Sequence, residues 1–167
     1  MTTKPTLCSP FGAAEIVPGL WQGGWPYIGQ PGEAGVRADT VVLCAKEVQP
    51  TGAQLPGVER IHVPMDDAAI SNEDYGRAIV AAERVVDRLV ARKTVLVTCH
   101  MGINRSGLVT GLSLILGYGM SGDEAVALIR RRRKLPRGYA LGNEHFAKFL
   151  RSYGNHRLGR NGHRRAA

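Results

Sequence analysis

The stretch 94-TVLVTCHMGINRSGLVTG-111 constrains this chain more than any other. Its first five residues are of strand type and run directly into Cys99. A short loop containing Gly102 follows. Residues 107–118 are then apolar nearly all round, which marks a buried helix. A strand that passes through a tight loop into a helix with no polar face belongs in a layered α/β arrangement with a mainly parallel sheet.

The rest of the chain agrees with that layering. The segment 15-EIVPGLWQG-23 reads as two short strand pieces broken by Pro18 and Gly19, and 39-DTVVLCA-45 and 59-ERIHVPM-65 read as further strands. From Glu73 the apolar period changes. Tyr75, Ala78, Ile79, Ala82, Val85, Val86 and Leu89 fall at helical spacing, with Ser71 or Asn72 as the cap. Ser121 and Glu124 form a capping box for a helix over 122–134, and a last helix runs from about Asn143 to Tyr153. The expected organisation is a loose lead-in over 1–14, one domain over 15–153, and a basic, disordered tail over 154–167.

The formal net charge is +8, which favours anionic partners such as phosphate esters, nucleic acid or acidic lipid without choosing among them. The basic run 130–134 reads as a solvated helix end, where cations complement the dipole. Three widely spaced cysteines, Cys8, Cys44 and Cys99, give neither a disulfide framework nor a zinc pattern. The N-terminus has no apolar signal region, and the longest apolar run is too short to span a bilayer. The reading is a cytoplasmic monomer with reduced thiols.

The loop 99-CHMGINRS-106 supplies three chemical parts. Backbone N–H groups of a loop entering a helix can converge on one point and bind phosphate, with the helix dipole behind them. The same field favours the thiolate of a cysteine placed there, and the thiolate is the nucleophile. An arginine at the helix start can grip two phosphate oxygens with its planar fork. The bare spacing C-x5-R is a weak signal in an arginine-rich chain. Gly102, a preceding strand and a following buried helix make it a strong one. Together these parts fit attack on phosphorus through a phosphocysteine intermediate.

At these residues the chain resembles the cysteine-dependent protein tyrosine phosphatase superfamily and, within it, the dual-specificity branch, whose loop reads H-C-x-x-G-x-x-R-S/T. The resemblance extends from Glu15 to Leu150 and includes 41-VVLCAKE-47 and the N-x-x-F…L pattern of 143-NEHFAKFL-150. It implies a central, mostly parallel sheet of four or five strands with helices on both faces, and no metal or cofactor. It implies Cys99 as nucleophile and Arg105 as charge clamp. His100, Met101, Gly102, Ile103 and Asn104 become the phosphate cradle, and the Ser106 hydroxyl helps the thiolate leave. The family's histidine before the cysteine is Thr98 here, which leaves the cradle, the helix and Arg105 to hold the thiolate.

Ester cleavage also needs a proton on the leaving oxygen. Asp66 and Asp67 precede the long helix, and two adjacent carboxylates cannot both face the phosphate. The family often places its acid as P-x-x-D about thirty residues before the cysteine. Pro64 plus three is Asp67, 32 positions ahead of Cys99, so Asp67 is the expected acid and Asp66 the alternative. The expected substrate is a phosphorylated protein or peptide, carrying phosphotyrosine with or without phosphoserine and phosphothreonine. An RNA 5′-phosphatase or triphosphatase comes next, and a phosphoinositide phosphatase and a non-catalytic phosphate-binding module stand level behind it.

Overall fold

The computed structural model describes residues 4–165, and side-chain surroundings as far as residue 159. A five-stranded sheet forms its centre. It consists of β2 (Ala13–Val17), β3 (Leu20–Gly23), β5 (Thr40–Ala45), β6 (Glu59–Met65) and β7 (Val95–Thr98), in the order β2-β3-β7-β5-β6. Within this sheet only β2 and β3 pair antiparallel, through the turn at Pro18–Gly19. The pairs β3·β7, β5·β7 and β5·β6 are all parallel. β7 therefore sits in the middle of the sheet, and the loops leaving β3, β5, β6 and β7 all emerge at one edge. In open parallel sheets that edge is where ligands bind.

The four helices are α1 (Asn72–Val90), α2 (Arg105–Tyr118), α3 (Gly122–Arg132) and α4 (Glu144–Arg165). Ser71 caps α1 and Ser121 caps α3, each in a reciprocal box with Asp74 or Glu124 three residues on. α2 is buried along most of its length, from Arg105 through Ile115.

The sheet is sided, and both sides are apolar. Val42, Cys44, Val95 and Val97 pack with Ala78, Ala82 and Val85 of α1, Leu108 and Leu112 of α2, Val126 and Ile129 of α3, and Phe146 and Leu150 of α4. The alternate residues Val41, Leu43 and Leu96 pack with Leu7, Val36, Ala38, Leu55 and Val58. All four helices thus contribute to the first layer. The second is closed by short extended segments and by the turns around Leu55, with no helix among the described residues contributing, in place of the helices expected on both faces.

Two boundaries also differ from expectation. The lead-in is built into that second layer. β1 (Leu7–Cys8) pairs with β4 (Tyr27–Ile28), Leu7 exchanges backbone hydrogen bonds of 2.8 Å with Val36, and Leu7 and Cys8 are buried. Two-residue strands have no periodicity to read, which is why they look like loop in the sequence. At the other end α4 continues past Tyr153 to Arg165, through much of the stretch expected to be disordered. Gly154 starts this extension by closing onto the backbone of Gly122, where an added Cβ would come within 2.3 Å of the Gly122 nitrogen. The side chains of 160–167, which include most of the basic tail, lie outside the described residues. No helix among the described residues is long and apolar enough to cross a membrane.

Candidate active site

Cys99 ends β7 at the centre of the sheet edge, and Arg105 opens α2. The loop between them has its carbonyls fastened outward one by one. Trp25 N donates to His100 O at 2.9 Å, and Arg133 Nη2 to Met101 O at 3.1 Å. Gln22 Nε2 and Arg133 Nε both donate to Gly102 O at 3.1 Å, and Leu141 N to Ile103 O at 3.1 Å. The C=O and N–H of one trans peptide point in opposite directions. Carbonyls 100–103 held outward therefore turn the N–H groups of residues 101–104 inward, which makes an anion cradle.

Gly102 is required there twice over. Its φ is +71°, and a Cβ would lie 2.4 Å from the carbonyl carbon of Gly23. The first turn of α2 contains no acidic residue, so its positive end is not offset by its own side chains.

Arg105 is 6% exposed. Its Nη1 and Nη2 donate to Glu47 Oε2 and Oε1 at 2.6 and 2.5 Å, and Nη1 also reaches Met65 O at 3.3 Å. Its Nε is buried without an acceptor among the described residues. Burial works against the guanidinium charge. The bonds to Glu47 and the electrostatic influence of Cys99, Glu47 and Asp67 outweigh it, so the Arg105 pKa stands above its ordinary value. In return the Arg105 hydrogen bonds, against burial, bring the Glu47 carboxyl down to about 2.

Cys99 is buried, with Sγ 3.3 Å from the Ser106 hydroxyl, where that hydroxyl can donate to a thiolate. Cys44, on the neighbouring strand, is the opposite case. Burial first, and the nearby Cys99 second, push its thiol well above the usual range. Thr98, at the position of the family's histidine, is fully buried and donates to Val42 O at 2.8 Å, so its side chain serves the β5·β7 pair.

The two candidate acids go separate ways. Asp66 pairs with Lys46 at 2.6 Å, with both side chains more than half exposed. Asp67 turns toward the loop. Its Oδ2 accepts from Asn104 Nδ2 at 3.0 Å and its Oδ1 from Asn143 Nδ2 at 3.1 Å. Cys99, Ser106, Arg105 and, through Asn104, Asp67 thus all meet the one loop, and Asp66 pairs away from it with Lys46. A nucleophile, a planar cation, a cradle of amides and a carboxyl group so arranged can bind a phosphate dianion, attack phosphorus and pass a proton to an ester oxygen. No group of His, Cys, Asp or Glu among the described residues could hold a metal ion.

Sequence reasoning missed Glu47, Gln22, Asn143 and Arg133. Glu47 and Gln22 end up at the loop through parallel strand pairing, which leaves no local signal. Arg133 corrects the reading of 130–134 as a solvated helix end. It is 5% exposed and gives its guanidinium to the carbonyls of Phe11, Met101 and Gly102. A signal existed. Arg133 follows Val126 and Ile129 at helical spacing, on the apolar side of α3.

The family model for the dual specificity phosphatase catalytic domain matches residues 20–156. Among curated proteins, dual specificity protein phosphatase 12 of Mus musculus is 29% identical over 119 residues, 67% of this chain. The match spans 32% of that protein's length, so the chain corresponds to about a third of it. Among solved structures, human DUSP28 superposes with a TM-score of 0.69 at 19% identity, covering 90% of this chain and 98% of that one. Tk-PTP in its active form superposes with a TM-score of 0.56 at 27% identity, covering 69% of this chain and 79% of that one. The tyrosine phosphatase OH1 from the Orf virus gives a TM-score of 0.61 at 21% identity, covering 87% and 88%.

Proposed function

The chain belongs to the dual specificity phosphatase catalytic-domain family, and from that premise we propose that it hydrolyses phosphate monoesters on proteins through a phosphocysteine intermediate. The observation that supports the proposal is that the carbonyls of the loop between Cys99 and Arg105 are tied outward, which turns amides 101–104 inward, while Glu47 holds the Arg105 fork at the end of the same loop. The Cys99 thiolate attacks phosphorus in line, the S–P bond forms as the P–O ester bond breaks, and Asp67 delivers its proton to the leaving oxygen. Arg105 and the amides stabilise the equatorial oxygens as their charge redistributes. Water then attacks the phosphocysteine and Asp67 takes its proton. The S–P bond breaks, and the Ser106 hydroxyl donates to the departing thiolate, releasing inorganic phosphate.

Phosphotyrosine is the favoured substrate. A cleft of about 380 Å³ shares Glu47 and His100 with the mouth of the site and is walled by Trp25, Val48 and Pro50, the kind of apolar surface a phenyl ring packs against. Phosphoserine and phosphothreonine peptides are the secondary substrates. An RNA 5′-phosphatase is the competing reading, motivated by the charge of +8 and the stretch 102-GINRS-106.

The test is a panel of phosphotyrosyl and phosphothreonyl peptides, a phosphoinositide and a 5′-triphosphate RNA, with acid-quenched enzyme assayed for label on Cys99. Phosphate release from the peptides with label on Cys99 is expected. Preference for RNA would transfer the assignment to the competing reading. Absence of turnover and of label with every substrate would reduce the domain to a phosphate-binding module.

A further inference from the structure

The segment carrying Asp67 has almost nothing of its own to hold it. Residues 66–69 are all exposed, so no apolar side chain anchors them. What reaches the Asp67 carboxylate comes from two other parts of the chain. Asn104 is the last residue of the phosphate cradle, 37 positions away, and Asn143 precedes α4, 76 positions away. Asn143 Nδ2 also donates to Ala68 O at 3.3 Å.

The direction of both amides is settled by backbone donors. Asn143 N donates to Asn104 Oδ1 at 3.0 Å, and His145 N donates to Asn143 Oδ1 at 3.1 Å. Each amide oxygen is thereby committed, so each amino group faces the carboxylate and neither side chain can flip without losing a bond. Asn104 caps no amide of its own helix, because its side chain is used here instead.

We infer that Asn104 and Asn143 are positioning residues that latch the acid segment onto the phosphate cradle and α4, and so set the aim of Asp67 at the leaving oxygen. The inference rests on the assignment of Asp67 as the acid. An acid on an exposed, unanchored loop would sample many positions, and proton transfer demands hydrogen-bond reach of the ester oxygen. Two amides tied to rigid elements remove that freedom.

Asn143→Ser isolates the latch. Serine keeps an oxygen to cap α4 but lacks the amino group that reaches Asp67. Asn143→Thr, which likewise keeps an oxygen for α4 and lacks the amino group, is the second variant, read identically should Asn143→Ser fail to fold. Each is assayed on two aryl phosphates, one releasing a tyrosine-like phenol of pKa about 10, which needs the proton, and one releasing a strongly acidic phenol, which does not.

Losing a general acid altogether costs about 10²–10⁴-fold, so loosening it should cost roughly tenfold in kcat/KM on the basic phenol. The acidic phenol should stay within about twofold, and in an Asp67→Asn background Asn143→Ser should change neither rate. Equal losses on the two substrates, or a further loss in the Asp67→Asn background, would overturn the latch. If Asp67→Asn itself slows both substrates alike, the acid assignment falls instead. If neither substrate is turned over by the unaltered protein, the phosphatase reading falls.

Discussion

Replacing Glu47 with glutamine removes the counter-charge of Arg105 while keeping the side chain's shape. In the structure Glu47 receives two charged hydrogen bonds from Arg105, at 2.5 and 2.6 Å. Glutamine keeps one carbonyl oxygen for one of them and turns an NH₂ group toward the other donor. The depression of the Glu47 carboxyl from 4.5 to about 2 corresponds nominally to about 3 kcal/mol. The Glu47 side chain is 43% exposed, and water screens the pair accordingly, which leaves about 1–1.5 kcal/mol. For a chain of this size that is a fall in Tm of about 3–5 °C.

The pH dependence follows from the direction of the shift. A carboxylate whose pKa is lowered by folding stabilises fully above its unfolded value and loses that contribution as pH falls through its folded value. The Tm gap between the two proteins should be complete at neutral pH, narrow below about 4.5 and close near 2. Turnover should fall by at least about tenfold, because a less firmly held fork stabilises the equatorial oxygens less well. Calorimetry at several pH values and single-turnover kinetics measure both effects. A Tm gap under about 1 °C, or one that ignores pH, with kcat within about twofold, would refute the reasoning that Glu47 orients Arg105.

Other substitutions test other parts of the site. Cys99→Ser should abolish turnover and retain binding of a phosphate analogue by calorimetric titration, while Cys8→Ser and Cys44→Ser leave the rate within a few-fold. Arg105→Lys keeps the charge but loses the planar fork, and should cost roughly a hundredfold in kcat. Arg133→Met strips the donor from the carbonyl of Met101 and from that of Phe11, whereas Gly102 O keeps Gln22. We expect a loss of about 2–4 kcal/mol in denaturant unfolding together with weaker binding of a phosphate analogue. Gly102→Ala should give little folded protein by circular dichroism, since its Cβ would meet the Gly23 and Gly24 backbone at 2.4–2.6 Å.

What the sequence determined by itself is whatever a few consecutive residues decide. The continuous apolar runs of 40–45 and 95–98 and the helical period of α1 are each written within a short stretch of chain, and the layers assemble from them. The Ser121–Glu124 box is equally local. The phosphate loop is legible for the same reason, because Cys99, Gly102 and Arg105 are parts of one turn between one strand and one helix. Tertiary structure decided what surrounds that loop. Glu47 meets Arg105 only because β5 pairs with β7, and Arg133 comes to lie behind the cradle only because α3 packs its apolar side inward. Only the spacing from Pro64 ranks Asp67 ahead of Asp66 in the sequence, whereas in the fold Asn104 and Asn143 reach Asp67 and Lys46 reaches Asp66. Leu7 and Cys8 gain their burial from partners at positions 28, 34 and 36. Periodicity reports the hydrogen bonds and packing faces that a segment makes with itself or presents to a core. It carries no record of which distant carbonyl, carboxylate or strand will meet that face, and here those distant partners hold the loop, Arg105 and Asp67 in place.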